Sequence, residues 1–261
     1  MALLHVNFPS KILNMEMEMD VILPETAVSQ IGMKNSVEGK CKTLYLLHGM
    51  SDDHTIWQRR TSIERYAAQY NLIVVMPTVH LSWYTDMKNG DKYYTFVAKE
   101  LPEICQSMFQ QMSKEREDNF LAGLSMGGYG AVKIGLLEGQ HFSHVASLSG
   151  AVDIVELMRS NHLKPSAYWI DIFGTLQETE NSINNLFYLV DQQVRDNKQI
   201  PALFLWCGEE DFLFEHNNRF VAHLKNRGIE PKFTTSFGDH SWKYWDEQIQ
   251  AVLHWLPLEG V

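Results

Sequence analysis

Cysteine is scarce in this 261-residue chain, with only Cys41, Cys105 and Cys207, far apart and in apolar contexts. An odd, scattered set excludes a disulfide framework or a paired-cysteine metal knuckle and predicts reduced thiols packed into a core. Positive charge is also short: 22 Lys and Arg against 32 Asp and Glu leave a formal charge of −10, with no basic block anywhere. That sign repels phosphate backbones and anionic headgroups, so no nucleic acid is expected as a partner. No apolar run approaches the ~18 residues of a membrane-spanning helix, and no membrane partner is expected. The N-terminal stretch MALLHVNFPSKIL lacks the basic region, apolar stretch and small-residue cleavage site of a secretory signal, which makes a cytoplasmic address the expectation. No G-x-G-x-x-G follows a first strand and no G-x-x-x-x-G-K-[ST] occurs, so dinucleotide and phosphate-loop chemistry have no anchor.

What is present is a strand and helix alternation. Residues 11 to 23 alternate, with Leu13, Met15, Met17, Met19, Val21 and Leu23 on one face and Asn14, Glu16, Glu18 and Asp20 on the other, a half-exposed strand that Pro24 ends. The polar stretch from Glu25 to Lys42 reads as a loop. Thr43 to Leu47, Leu72 to Met76, Phe120 to Leu124 and Ala202 to Trp206 are short, nearly continuous apolar runs, the pattern of strands covered on both faces. Helix-like stretches such as Tyr94 to Met112 and Ser182 to Val194 lie between them. The fold class is therefore α/β, a mostly parallel central sheet with helices on both faces. With no repeat, low-complexity tract or linker, residues 1–261 are expected to form a single domain. Leu81 to Asp91 and Ala151 to Asn181 show no clear period and read as excursions over the active-site face.

The segment from Asn119 to Gly130 runs an apolar strand into the glycine-rich turn Gly123-Leu-Ser125-Met-Gly127 and on into a helical stretch. This is a G-x-S-x-G in strand-turn-helix context. Such a turn holds its serine in a strained backbone conformation, and the flanking glycines leave room for the neighbouring strand and helix. A serine hydroxyl is a weak nucleophile until an imidazole takes its proton, so a histidine is needed late in the chain near the sheet edge. His240 has that position, after the alternating strand Lys232 to Phe237 and before a helix carrying Trp242, Trp245, Ile249, Val252, Leu253 and Leu256 on one face. His5, His141, His144 and His223 read as ordinary surface or core side chains.

The orienting acid belongs on the loop after Ala202 to Trp206, where Cys207-Gly-Glu-Glu-Asp211 offers three carboxylates. Asp211 is preferred because it immediately precedes the apolar start of the next helix. Glu210 is the substitute, Glu209 reads as solvated charge, and Asp239 reads as a turn or cap residue. The order serine, acid, histidine is that of the α/β-hydrolase fold, in which the oxyanion is met by two backbone N–H groups, one after the nucleophile and one after an early strand. Met126 and Met50 occupy those places, with His48 supporting the backbone.

On these residues the chain resembles the esterase D and S-formylglutathione hydrolase family, particularly its bacterial tributyrin-esterase branch, and more distantly the mycolyltransferase antigens. The likeness spans nearly the whole chain. It is carried by Tyr45-Leu-Leu-His-Gly-Met50 with Trp57 downstream, by Ser82-Trp-Tyr-Thr-Asp86, by Ala122-Gly-Leu-Ser-Met-Gly-Gly-Tyr-Gly130, by Cys207-Gly-Glu-Glu-Asp211 and by Gly238-Asp-His-Ser-Trp-Lys-Tyr-Trp245. The resemblance implies a Ser125, Asp211 and His240 triad, an oxyanion hole at Met50 and Met126, and cofactor-free hydrolysis of short acyl esters such as tributyrin-like, acetyl or aryl esters. A thioesterase acting on S-formylglutathione, an acyltransferase and a hydrolase-fold binding protein without chemistry are the alternatives. One departure is the acidic loop Met50-Ser-Asp-Asp-His54, where relatives often carry small or neutral residues. Trp57, Trp83, Tyr84, Trp169 and Phe173 fall on loops expected at the active-site face and are candidate pocket walls. Asp52, Asp53 and His54 are adjacent on a loop and poorly suited to converge on one ion, so no metal is expected. The expected partner is a small-molecule ester, and a homo-oligomer is left open.

Overall fold

Alternate residues of a strand point to opposite faces, and in the runs Thr43 to Leu47, Leu72 to Met76, Phe120 to Leu124 and Ala202 to Trp206 both faces are apolar. In the computed structural model, which describes residues 1–26, 39–160 and 163–260, eight strands form one sheet. They are β1 (Ala2–Ser10), β2 (Met15–Leu23), β3 (Thr43–Leu47), β4 (Ile73–Pro77), β5 (Asn119–Leu124), β6 (His144–Leu148), β7 (Ala202–Gly208) and β8 (Lys232–Ser236). Their order is β1-β2-β4-β3-β5-β6-β7-β8. β1 and β2 form an antiparallel hairpin, β2 meets β4 antiparallel, and the pairs from β4 to β8 are all parallel.

The helices are α1 (Ile56–Arg60), α2 (Ile63–Ala68), α3 (Tyr93–Thr95), α4 (Leu101–Met108), α5 (Met126–Leu137), α6 (Ile154–Ser160), α7 (Ser166–Phe173), α8 (Leu176–Glu180), α9 (Leu186–Arg195), α10 (Phe214–Asn226) and α11 (Trp242–Trp255). Leu44, Leu46, Val74, Phe120 and Trp206 pack with α1, α2 and α11 in one core layer. Tyr45, Leu47, Val75, Leu121 and Leu205 face the other way, into a layer with α4, α5, α9 and α10. Cys41, Cys105 and Cys207 are buried free thiols. No helix among the described residues is long and apolar enough to cross a membrane.

Several elements differ from the sequence expectation. β1 lies at the sheet edge, where Pro9 is tolerated and an exposed Leu3 blurs the alternation of Leu4, Val6 and Phe8. β6 is a buried strand diluted by Ala146 and Ser147, small residues against which α5 packs closely. A Cβ on Gly128 would lie 2.6 Å from Oγ of Ser147, and one on Gly135 would lie 2.4 Å from Cγ2 of Val145. In β2 the polar face is not wholly exposed, because Asp20 is buried and accepts hydrogen bonds from Nδ1 of His5 at 2.5 Å and Nε2 of Gln58 at 2.6 Å. The helical stretch expected from Tyr94 begins one residue earlier and passes through a π-helical turn at Phe96–Glu100 before α4. α9 starts only at Leu186, where the Asn185 side chain caps the N–H of Phe187. The excursion over 151–181 contains α6, α7 and α8, each too short for a 3.6-residue period to stand out. Residues 161 and 162 of it, and 27–38 of the expected 25–42 loop, lie outside the described residues.

Candidate active site

Ser125 stands between the end of β5 and the start of α5 with φ 53° and ψ −117°, a conformation that costs a non-glycine residue about 1–3 kcal/mol. The surroundings enforce it. Its N–H donates to the carbonyl of Leu148 at 2.9 Å, and its own carbonyl accepts from Tyr129 and Ala151. A Cβ on Gly123 would lie 2.4 Å from the backbone of Gly127, and one on Gly127 would lie 2.5 Å from the carbonyl oxygen of Leu47. Only glycine lets β3, β5 and α5 approach this closely.

His240 lies between β8 and α11. Its Nε2 is 3.0 Å from Oγ of Ser125 and its Nδ1 is 2.8 Å from Oδ2 of Asp211. The ring is held between Trp245 and Phe212, with centroids 4.9 and 4.7 Å away. Asp211 is buried, and its Oδ1 accepts the N–H of Leu213 at 2.9 Å. Glu209 and Glu210 are exposed, and the Glu209 carboxylate accepts from the Thr235 hydroxyl. The acid and base loops meet because the N–H of Glu210 donates to the Gly238 carbonyl, an approach that a Cβ on Gly208 would block at 2.2 Å. Asp239 is exposed in the turn, where its carbonyl accepts from Ser241.

Met126 opens α5, and Met50 follows Gly49 on the loop after β3. Neither backbone N–H has an acceptor among the described residues. The loop is fixed from behind. His48 is buried, accepts the N–H of Val79 on Nε2 at 3.0 Å and donates from Nδ1 to the Gly49 carbonyl at 2.7 Å. Burial lowers its pKa to about 4, against a smaller opposing effect of the Gly49 carbonyl.

A cavity of about 360 Å³ opens over Ser125 and His240. Of the five candidate wall aromatics only Trp83 lines it. Trp57 and Tyr84 are buried behind the loop instead, where the Trp57 indole donates to the Leu47 carbonyl at 3.1 Å and the Tyr84 hydroxyl to the His48 carbonyl at 2.9 Å. Trp169 and Phe173 form a layer behind Trp83, at centroid distances of 5.2 and 6.1 Å. These loops turn large aromatics inward because each ring has an apolar body to bury and, in Trp and Tyr, a polar tip to satisfy. Phe212, Trp242 and Trp245 line the cavity, as do Leu157 and Leu163. Phe212 was within reach of sequence reasoning, since it adjoins the acid. The two leucines carried no such signal. Asp52, Asp53 and His54 diverge: Asp52 lines the cavity, Asp53 accepts from Thr55, and His54 faces Thr78. Among the described residues no three His, Cys, Asp or Glu side chains are grouped to hold a metal ion.

A sequence model described as "Esterase: Putative esterase" matches residues 10–256. An acetyl esterase of Caldicellulosiruptor saccharolyticus is 31% identical over 262 residues, covering 98% of both chains. Two solved Staphylococcus aureus structures are each 36% identical and cover 98% of both chains. They are fluorophosphonate-binding serine hydrolase F in a substrate-bound form, with a TM-score of 0.88, and an S-formylglutathione hydrolase apoenzyme, with a TM-score of 0.86.

Proposed function

This chain belongs to the esterase family and has the α/β-hydrolase fold of a serine ester hydrolase, and we propose that it hydrolyses short-chain acyl esters through Ser125, His240 and Asp211. The observation that carries the residue roles is the continuous hydrogen-bonded line from Asp211 through His240 to Ser125 at the mouth of the cavity.

In this reading Oγ of Ser125 attacks the ester carbonyl carbon while Nε2 of His240 takes its proton. The N–H groups of Met50 and Met126 receive the negative charge on the carbonyl oxygen, each such donor stabilising the transition state by about 3 kcal/mol. The positive end of α5 adds to the same effect. The tetrahedral adduct then breaks its bond to the alcohol oxygen, which takes the proton from His240, leaving an acyl group on Ser125. Water attacks next, His240 takes its proton and returns it to Oγ, and the carboxylic acid departs. Asp211 keeps the proton of the resting imidazole on Nδ1 and balances the imidazolium. A reduced, cytoplasmic setting accords with the three buried free thiols.

The 36% identical S-formylglutathione hydrolase supports a second reading, in which the leaving group is a thiol. The deciding experiment measures kcat/KM for p-nitrophenyl acetate, butyrate, hexanoate and octanoate beside S-formylglutathione. A preference for acetate or butyrate is expected. S-formylglutathione turnover exceeding all four would replace the ester reading, and no turnover of any of the five would reject both.

A further inference from the structure

The cavity contains one charged side chain for which the hydrolytic steps have no use. Asp52 lies on the loop after β3 and lines the cavity with Gly49, Met50 and Ser51. A Cβ on Gly49 would be 3.1 Å from Oδ2 of Asp52 and 3.7 Å from Cβ of Ser125, so carboxylate and nucleophile flank the same residue. Asp53 is different, since its Oδ1 is already taken by the N–H and hydroxyl of Thr55 at 2.9 and 2.6 Å. Asp52 has no ion-pair partner among the described residues. Burial raises its pKa, the Gly49 N–H opposes this, and Asp53, Arg60 and Arg59 act on it only through space.

The rest of the lining indicates which half of an ester meets this carboxylate. Leu124, Ala151, Leu157, Leu163 and Leu213 are aliphatic, whereas Ser51 and Asp52 are the polar side chains besides Ser125 and His240. A short acyl chain is hydrocarbon. It gains by covering leucines and loses by desolvating a carboxylate that has no counter-ion among the described residues. The alcohol half, where polar and charged groups occur, is the half that Asp52 suits. Trp83, Phe212, Trp242 and Trp245 add aromatic surface to the same cavity, which attracts cations and not anions.

We propose that Asp52 makes the cleft charge-selective on its alcohol side, favouring esters of cationic alcohols over neutral isosteres and disfavouring anionic leaving groups. This rests on the esterase reading above. Three acetates test it: acetylcholine, its neutral isostere 3,3-dimethylbutyl acetate, and the anionic 3-acetoxypropanesulfonate. In the unmodified protein the kcat/KM ratio of cationic to neutral ester should be about tenfold, the size expected of one carboxylate acting across a partly hydrated cleft. The anionic ester should fall below the neutral one. Asp52→Asn, which keeps shape and removes charge, should bring both ratios towards one, with Asp52→Ser as a second variant. Asp53→Asn should leave them in place. Equal rates for the cationic and neutral esters in the unmodified protein would overturn the proposal, as would ratios that survive Asp52→Asn or collapse equally in Asp53→Asn. Turnover of the neutral ester without charge preference rejects this inference alone, whereas no turnover of any acetate also rejects the esterase reading.

Discussion

Nε2 of His240 lies 3.0 Å from Oγ of Ser125, although 115 positions separate the two residues in sequence. That distance allows direct proton transfer, so Ser125→Ala should lower turnover of p-nitrophenyl butyrate by more than about 10³-fold. Circular dichroism should remain that of the folded protein. Activity retained at the parental level would reject Ser125 as the nucleophile.

In the proposed mechanism Asp211 acts through His240, and Asp211→Asn tests that separately. The amide presents an N–H where the carboxylate accepted one and favours the wrong imidazole tautomer, so kcat should fall about 10³- to 10⁴-fold with little change in KM. Glu210→Gln should be nearly silent, because Glu210 is exposed. The reverse ranking would transfer the role to Glu210.

His48 links stability to pH. Its folded pKa of about 4 lies below the ordinary 6.5, so as pH falls the unfolded chain takes up the proton first. Its stabilising contribution is complete above pH 6.5 and is lost as pH falls towards 4, amounting to about 3 kcal/mol. His48→Gln, which keeps an acceptor for Val79 and does not titrate, should flatten the fall in urea midpoint across this window. An unchanged slope would contradict the assignment.

Gly127→Ala should destabilise the protein by more than about 2 kcal/mol, because the new Cβ meets backbone oxygens of Leu47 and His48 at 2.5 and 2.6 Å. Gly39→Ala is an informative contrast, since its Cβ meets nothing among the described residues and its φ of +75° is what opposes the change there. Urea unfolding of the two variants should rank Gly127 as much the costlier.

Trp57 and Leu157 separate support from cavity lining. Trp57→Phe leaves the buried Leu47 carbonyl without its indole donor and should cost about 1–2 kcal/mol of stability. Its acyl-length preference should stay as in the parent. Leu157→Ala enlarges the aliphatic side of the cavity and should shift preference towards hexanoate and octanoate by about tenfold relative to acetate. A shift produced by Trp57→Phe instead would relocate the acyl site.

The turn at Ser125 and the loop at His240 could be placed from sequence because local chemistry marks them: a strained strand-to-helix turn needs its glycines, and the histidine loop is bounded by a clear strand and helix. Asp211 was harder, as three adjacent carboxylates look alike until folding buries one and leaves Glu209 and Glu210 in solvent. β1 and β6 carry no clear sequence pattern for opposite reasons, one being a half-exposed edge and the other a buried strand of small residues.

The sequence by itself determined the α/β alternation, the position of the elbow and the order of serine, acid and histidine, because periodicity and turn chemistry are local. Only the tertiary structure decided which aromatics line the cavity. Trp57 and Trp242 touch edge to face at 5.1 Å, yet Trp57 is buried behind the loop while Trp242 borders the cavity. The same holds for Asp52, whose place beside the nucleophile depends on how β3 and β5 pair. Burial and proximity are set by contacts between segments far apart in the chain, and no local pattern contains them.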